Sequence, residues 1–141
     1  MSNEVTVAQE ELIEEFSFFD NWMDRYQYLI DLGRRLPELS PEEKVVGNKI
    51  NGCQSLVWFV AERQDDRLTF RAISDAAIVS GLIAMLLRIY SDRRPEDILA
   101  TPPDFVSALE LEKHLSPTRS TGLASMLEAI RSYAQKALEA A

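Results

Sequence analysis

The feature that most constrains the fold is a helical stretch from about residue 75 to Tyr90 that carries apolar side chains on every face. Its apolar residues are Ile78, Val79, Leu82, Ile83, Met85, Leu86, Leu87 and Ile89. A helix that is apolar all round leaves no face for solvent. We therefore expect it in the middle of the fold, with a sheet on one side and other helices on the other. Ser74 or Asp75 is expected to cap its first turn.

The residues before this helix predict a β-hairpin. Residues 53–63 have the alternation of a strand, and Gln64-Asp65-Asp66 is expected to form the turn. Residues 67–74 are expected to pair with the first strand, because apolar and polar side chains alternate again. A third short strand at 48–50 would complete a small antiparallel sheet.

Helical patterns precede the hairpin. Thr6 and Gln9 predict a capping box for a first helix, and Asp20 is expected to cap a second helix that ends at Gly33. Ser40-Pro41-Glu42-Glu43 predicts a loop with one helical turn. Its two acids are typical of a first turn, where they favour the helix dipole, although they could also be considered as a catalytic pair.

Helical patterns also follow the hairpin. Pro95 is expected to start a short helix, Asp104 to cap another that reaches about Leu111, and Ser116-Pro117 to introduce the C-terminal helix. Helices, a hairpin and more helices indicate an α+β fold, with a small antiparallel sheet of about three strands packed against helices. We expect a single domain over residues 1–141.

Composition limits the classes of function. The chain has 141 residues, 46% of them hydrophobic, and a net charge of -8, which argues against binding to a nucleic-acid backbone. No apolar run is long enough to span a membrane, and the acidic N-terminus lacks the features of a signal peptide. One cysteine and one histidine are too few ligands for a zinc or cluster site. A single cysteine also excludes an internal disulfide framework, and it favours a reducing, cytoplasmic compartment.

The only cysteine, Cys53, lies in a polar turn. Gly52 and Asn51 before it tolerate the left-handed backbone of a tight turn. A free cysteine is most often an inert, buried residue. Gly52, Gln54 and Ser55 are poor core residues, however, which favours the alternative of a reactive thiol.

The motif around this thiol is similar to that of a known family. The run Gly-Cys-Gln-Ser-x-Val-Trp at residues 52–58 resembles the SufE family, the sulfur acceptors for cysteine desulfurases in iron–sulfur cluster assembly. Segments 74–82 and 114–123 resemble the same family in the same order, and the resemblance extends from about Trp22 to Tyr133. It implies a bacterial, cytoplasmic protein whose fold is shared with the scaffold protein IscU.

The resemblance also implies roles for individual residues. Cys53 would accept sulfur as a persulfide, and Gly52, Gln54 and Ser55 would belong to its loop. Asp75, His114 and Arg119 match family positions near that loop, either as supporting residues or only as helix caps and loop-ordering residues. The positive charge of Arg119 is disfavoured at a helix start, so we expect it to pair with an acid such as Asp75 or to help hold the Cys53 loop.

Partners follow from the resemblance as well. A SufS-type, pyridoxal-phosphate-dependent desulfurase would donate the sulfur, so that the chain needs no cofactor and acts as an activator without being an enzyme alone. An iron–sulfur scaffold such as SufBCD would follow in the relay, and a homodimer is an open possibility. Two alternatives remain open: a small cysteine hydrolase built on Cys53 and His114, and a plain interaction module in which Cys53 is inert.

Overall fold

The structure is a computed structural model that describes residues 3–51 and 55–140. Helices pack on one face of a two-stranded antiparallel sheet. The strands are β1 (Val57–Gln64) and β2 (Arg67–Ser74). The helices are α1 (Glu4–Ser17), α2 (Trp22–Gly33), α3 (Ala77–Tyr90), α4 (Pro95–Ala100), α5 (Asp104–Ala108), α6 (Leu111–His114) and α7 (Pro117–Glu139). The α+β prediction is confirmed.

The hairpin forms with the predicted second strand and a shorter first strand. Gln64 pairs with Arg67, so the turn is reduced to Asp65 and Asp66. Asp65 has a φ of 58°, a left-handed conformation that aspartate tolerates better than most side chains. β1 begins at Val57, so Ser55 and Leu56 of the predicted first strand lie outside it, while residues 53 and 54 are outside the described residues. The buried residues of the two strands are Val57, Phe59, Leu68, Phe70 and Ala72.

The predicted third strand is wrong in the described part of the chain. Val46–Asn48 forms a 3-10 turn, and only one isolated bridge, between Lys49 and Trp58, joins the following residues to β1. Ile50 adds one backbone hydrogen bond, from its N–H to the carbonyl of Val57 at 2.9 Å. The chain therefore touches the sheet edge at one point without extending the sheet.

Helix α3 is the centre of the fold, as predicted. After Ala77 none of its residues is exposed, and Leu82, Ile83, Met85, Leu86 and Ile89 are fully buried. It packs against β2 on one side and against α1, α2 and α7 on the others. This arrangement follows from the apolar side chains on all its faces.

Helices α2 and α3 approach each other closely at two glycines. A Cβ atom placed on Gly81 would lie 2.3 Å from the carbonyl oxygen of Leu29. One placed on Gly33, at the end of α2, would lie 2.6 Å from the nitrogen of Gly81. Only glycine fits at such a crossing, because the neighbouring atoms belong to the backbone and cannot turn aside.

Two predicted N-terminal caps in the first half of the chain are wrong. Asn3 caps α1 by accepting a hydrogen bond from the N–H of Thr6 at 2.9 Å. The side chain of Gln9 is used elsewhere: it donates to the carbonyl of Pro102 and accepts from the N–H of Phe105. Asn21, and not Asp20, caps α2. Asparagine and aspartate cap equally well, so neighbouring candidates cannot be separated by residue type.

The later helix boundaries are partly as predicted. Ser116 caps α7 and Pro117 is its first residue, which confirms that prediction. Asp104 begins α5 without capping it, and the helix does not reach Leu111. Glu110 has a φ of 55°, which separates α5 from the short α6. None of the described helices combines the length and the apolar character needed to cross a membrane.

Candidate functional site

Three segments that are far apart in sequence meet at one recess. Each corresponds to one of the three motifs that carry the family resemblance. The residues that line the recess are Ser55, Val79, Leu82, Thr118, Arg119, Gly122 and Met126. Ser55 comes from the first motif, Val79 and Leu82 from the second, and the next three residues from the third. The structure therefore brings the three motifs together.

The recess is small and mainly apolar. Its volume is about 20 Å³, which is enough for one group the size of a water molecule. Val79, Leu82 and Met126 are buried and form its apolar wall. Gly52, Cys53 and Gln54, predicted to carry and surround the thiol, lie outside the described residues. Ser55 is the first described residue after them, and it is part of the recess.

Both sides of this segment are attached to the rest of the fold. Before it, Ile50 donates its N–H to the carbonyl of Val57. After it, Leu56 donates its N–H to the Asp75 carboxylate at 3.0 Å, and Asp75 donates its own N–H to the carbonyl of Leu56 at 3.3 Å. Asp75 thus fixes the entry to β1.

Neither residue predicted to cap α3 does so. α3 begins at Ala77 after Ala76, which makes no side-chain capping bond. The carboxylate of Asp75 bonds Leu56 instead. Ser74 uses its hydroxyl locally, accepting from the N–H of Ala76 at 3.2 Å. Both side chains therefore serve the junction between the hairpin and α3.

Arg119 lies near the start of α7 and contributes to the recess. Its backbone N–H donates to the hydroxyl of Ser116 at 3.3 Å. Its guanidinium has no hydrogen-bond or ion-pair partner within residues 3–51 and 55–140, so the predicted pairing with Asp75 is wrong. The helix dipole disfavours a cation at the start of a helix, so the dipole does not account for an arginine at this position. A role in holding the Cys53 loop stays a prediction.

His114 is engaged away from the recess. Its ring stacks on Trp22 with 4.2 Å between ring centroids and an interplanar angle of 19°. Its Nε2 atom lies 4.0 Å from the Glu110 carboxylate, and its backbone carbonyl accepts a hydrogen bond from the Tyr26 hydroxyl. His114 is not among the residues that line the recess. These contacts join α6 to α2, which is a structural role.

An ion-pair cluster holds the chain that leads to the site. Arg71 on β2 donates to the carboxylates of both Glu43 and Glu62, the latter at 2.7 Å. The hydrogen bonds from Arg71, followed by that from the N–H of Ser40, lower the pKa of Glu43 to about 2. Glu43 is thus a partner of Arg71, whereas its sequence context indicated a first-turn acid or a catalytic pair.

The prediction from sequence missed several residues of the recess. Val79, Leu82, Thr118 and Gly122 all lie inside the motif segments, so the resemblance itself was the signal for them. Met126 follows Gly122 by four residues, the spacing of one helix face. In the described part of the chain, no three His, Cys, Asp or Glu side chains are grouped so that they could hold a metal ion.

Comparisons with known sequences agree on one family. A family model described as "SufE: Fe-S metabolism associated domain" matches residues 10–134. A SufE-like protein of Rhizobium meliloti (strain 1021) is 40% identical over 136 residues, covering 93% of this chain and 97% of that protein. A SufE-like protein of Rhizobium etli is 40% identical over 131 residues, covering 89% and 88% of the two chains.

A solved structure shows the same fold. The solution structure of a hypothetical protein from Thermus thermophilus matches with a TM-score of 0.78 and covers 99% of each chain. The two sequences are 21% identical, so this similarity bears on the fold alone.

Proposed function

The chain belongs to the SufE family, whose domain is associated with iron–sulfur metabolism, and from this we propose a specific role for it. It accepts persulfide sulfur on Cys53 from a pyridoxal-phosphate-dependent cysteine desulfurase of the SufS type. It then passes the sulfur on towards iron–sulfur cluster assembly, for example to a SufBCD-type scaffold. Because it removes the persulfide sulfur from the desulfurase and so frees that enzyme for the next turnover, it acts as an activator and catalyses no reaction alone.

The observation that carries this proposal is the meeting of the three motifs at the recess. A chain advances at most about 3.6 Å per residue, and Ser55 is two residues from Cys53 in the sequence. A recess at Ser55 is therefore within covalent reach of the only thiol of the protein. Its volume and its apolar wall suit one sulfur-sized group kept away from water.

The transfer is a thiol–disulfide type of exchange. The Cys53 thiolate attacks the outer sulfur of the desulfurase persulfide, and the bond between the two persulfide sulfurs breaks. The desulfurase cysteine leaves as a thiolate, and Cys53 holds the outer sulfur. No oxidant or reductant is consumed. The pyridoxal phosphate belongs to the desulfurase, so this chain supplies only a thiol and its surroundings.

The residues on both sides of the Cys53 segment are proposed to position the thiol for transfer. The hydrogen bonds of Ile50 to Val57 and of Leu56 to Asp75 hold both sides of the Cys53 segment against β1 and the start of α3. Such positioning reduces the entropy that is lost when the thiol is oriented for the transfer. Arg119 lines the recess, and its guanidinium has no anionic partner among the described residues. The guanidinium is therefore proposed to stabilise negative charge on the thiolate or persulfide.

The hydrolase alternative finds less support. A nucleophile–base pair needs the imidazole of His114 within hydrogen-bond reach of the thiol. That ring stacks on Trp22 and lies beside Glu110, and it does not line the recess at Ser55. We therefore favour sulfur transfer over hydrolysis.

Intact-mass measurement tests the proposal. The protein is incubated with a SufS-type desulfurase and cysteine, and we expect the mass to increase by one sulfur atom on Cys53. Cys53→Ser is the control, because its hydroxyl cannot form a persulfide. If the wild type gains no sulfur, the relay is refuted. If the wild type cleaves a test ester or amide without a partner, the hydrolase is favoured instead.

A further inference from the structure

A second groove, with a polar lining, lies at Asn51, the last described residue before Cys53. Residues 49–51 form one wall and α7 forms the other, and the groove has a volume of about 350 Å³. That size is within the range of small-molecule sites in proteins. Asn51 is part of its lining and precedes Cys53 by two residues in the sequence. The groove is therefore also within covalent reach of the thiol.

The charges in this groove are unusual for an acidic protein. Lys49 and Lys136 both line it, although the chain has a net charge of -8 and only four lysines. Within residues 3–51 and 55–140, neither lysine makes an ion pair. Glu128 is the acidic residue of the lining, and it too has no ion-pair partner among the described residues. Two cations and one anion thus line one groove with no ion-pair partner in the part of the chain that the structure describes.

The neutral lining adds hydrogen-bonding groups. Ser125, Ser132 and Asn51 contribute two hydroxyls and one amide, each able to donate and to accept. A ligand with two carboxylates and one ammonium would complement the two lysines and Glu128. A small peptide thiol of the γ-glutamyl-cysteinyl-glycine type has this set of charges and fits the volume.

We propose that this groove binds a small anionic peptide thiol, which takes the sulfur from Cys53. The inference rests on the proposed function, because it names an acceptor for the persulfide formed there. The chain has one cysteine, so a thiol of another molecule must release the sulfur. The ligand's carboxylates lie against Lys49 and Lys136, and its ammonium lies against Glu128.

The transfer balances without an added oxidant or reductant. The thiolate of the bound peptide attacks the outer sulfur of the Cys53 persulfide, and the bond between the two persulfide sulfurs breaks. Cys53 leaves as a thiolate, and the peptide carries the outer sulfur with its proton as a new persulfide. The protein is then ready to accept sulfur again.

Binding is tested without any sulfur chemistry. S-methylglutathione has the charges of the ligand but no free thiol, and it is titrated into the Cys53→Ser protein by calorimetry or NMR. We expect saturable binding that Lys49→Gln combined with Lys136→Gln weakens about tenfold, because each exposed ion pair contributes modestly. The matched control combines Lys44→Gln with Lys113→Gln, which removes the same charge outside the groove and should leave binding unchanged. No saturable binding, or equal weakening in both double variants, overturns the proposal.

Transfer is tested with two thiols of different charge. Protein that carries a persulfide on Cys53 is mixed with glutathione or with the uncharged 2-mercaptoethanol. The groove double variant should slow release to glutathione about tenfold and leave release to 2-mercaptoethanol unchanged. If Cys53 never gains sulfur from a desulfurase, the proposed function fails, but the binding test still stands or falls by itself. If the variant impairs only loading by the desulfurase, these lysines face a protein partner and the peptide-thiol site is refuted.

Discussion

Replacing Gly81 with alanine tests the packing on which the position of the recess depends. The new Cβ atom would lie 2.3 Å from the Leu29 carbonyl oxygen and 2.6 Å from its carbonyl carbon. Ordinary contact distances are about 3.5 Å, so α2 and α3 must separate by about 1 Å. Gly81 lies between Val79 and Leu82, which form the wall of the recess, so the same change reaches the site.

The magnitude follows from two opposing effects. Overpacking against a rigid backbone costs about 3 kcal/mol, the upper end of the usual range. Alanine is better than glycine in a helix interior by about 1 kcal/mol. We therefore expect Gly81→Ala to lower the free energy of unfolding by about 2 kcal/mol. The melting temperature should fall by about 8 °C.

Urea unfolding followed by tryptophan fluorescence measures this loss. A loss of this size should lower the midpoint by about 1 M urea without changing the slope. Gly47→Ala is the matched control, because a Cβ atom there meets nothing within 4 Å. Its free energy of unfolding should stay within about 0.5 kcal/mol of the wild type.

A second variant tests the same crossing from the other helix. Gly33→Ala should also destabilise the protein, because its Cβ atom would lie 2.6 Å from the nitrogen of Gly81. Since either alanine already separates the two helices, the double variant should lose less than the sum of the single losses. A Gly81→Ala protein as stable as the wild type, or more stable, would show that α2 and α3 do not cross as closely as described.

Four further predictions concern the site and its surroundings. Cys53→Ser should fold normally, with an unchanged melting temperature, and lose all stimulation of the desulfurase; residual stimulation would contradict the relay. Arg119→Ala should slow sulfur transfer about tenfold, the effect expected for the loss of one charged hydrogen bond. It should also weaken the hydrogen-exchange protection of the Cys53 loop; unchanged rates and unchanged protection would contradict a role for this cation. We expect the loop to shelter Cys53 until a desulfurase docks, and a sheltered thiol ionises less readily. Cys53 should therefore react slowly with iodoacetamide in the free protein and faster beside a desulfurase that lacks its own cysteine; fast labelling without the partner would show an open loop. Arg71 lowers the pKa of Glu43 to about 2. The wild type should therefore exceed Glu43→Gln in free energy of unfolding by a constant amount above pH 4.5, and this difference should shrink as the pH falls and almost vanish near pH 2. A difference that is constant down to pH 2.5 in urea unfolding would refute this.

Sequence patterns predicted the features that local chemistry determines. The apolar side chains of α3 indicated its central position, and the alternation in β2 predicted that strand with its observed bounds. Ser116-Pro117 predicted the start of α7, because a capping serine followed by proline favours one local geometry. In each case the deciding residues lie within a single helix or strand or directly at its start.

Features that depend on distant contacts could not be predicted in this way. Asp75 looked like a helix cap, but its carboxylate bonds Leu56, 19 residues earlier in the chain. Arg71 reaches Glu43 across 28 residues, and no local pattern indicates that pair. The motif segments indicated which parts of the chain carry the site, while their meeting at one recess became visible only in the structure.

The attachments of Glu43 to Arg71 and of Ile50 to Val57 have a consequence for how this protein can evolve. Residues 44–48 lie between the two attachments and are mostly exposed, and Val46 shows 89% of its surface to solvent. Because the sheet holds both ends, substitutions in this stretch leave the backbone at Ile50 and Val57 in place. A lineage can therefore alter the surface that it presents to other proteins while the proposed sulfur transfer is inherited unchanged.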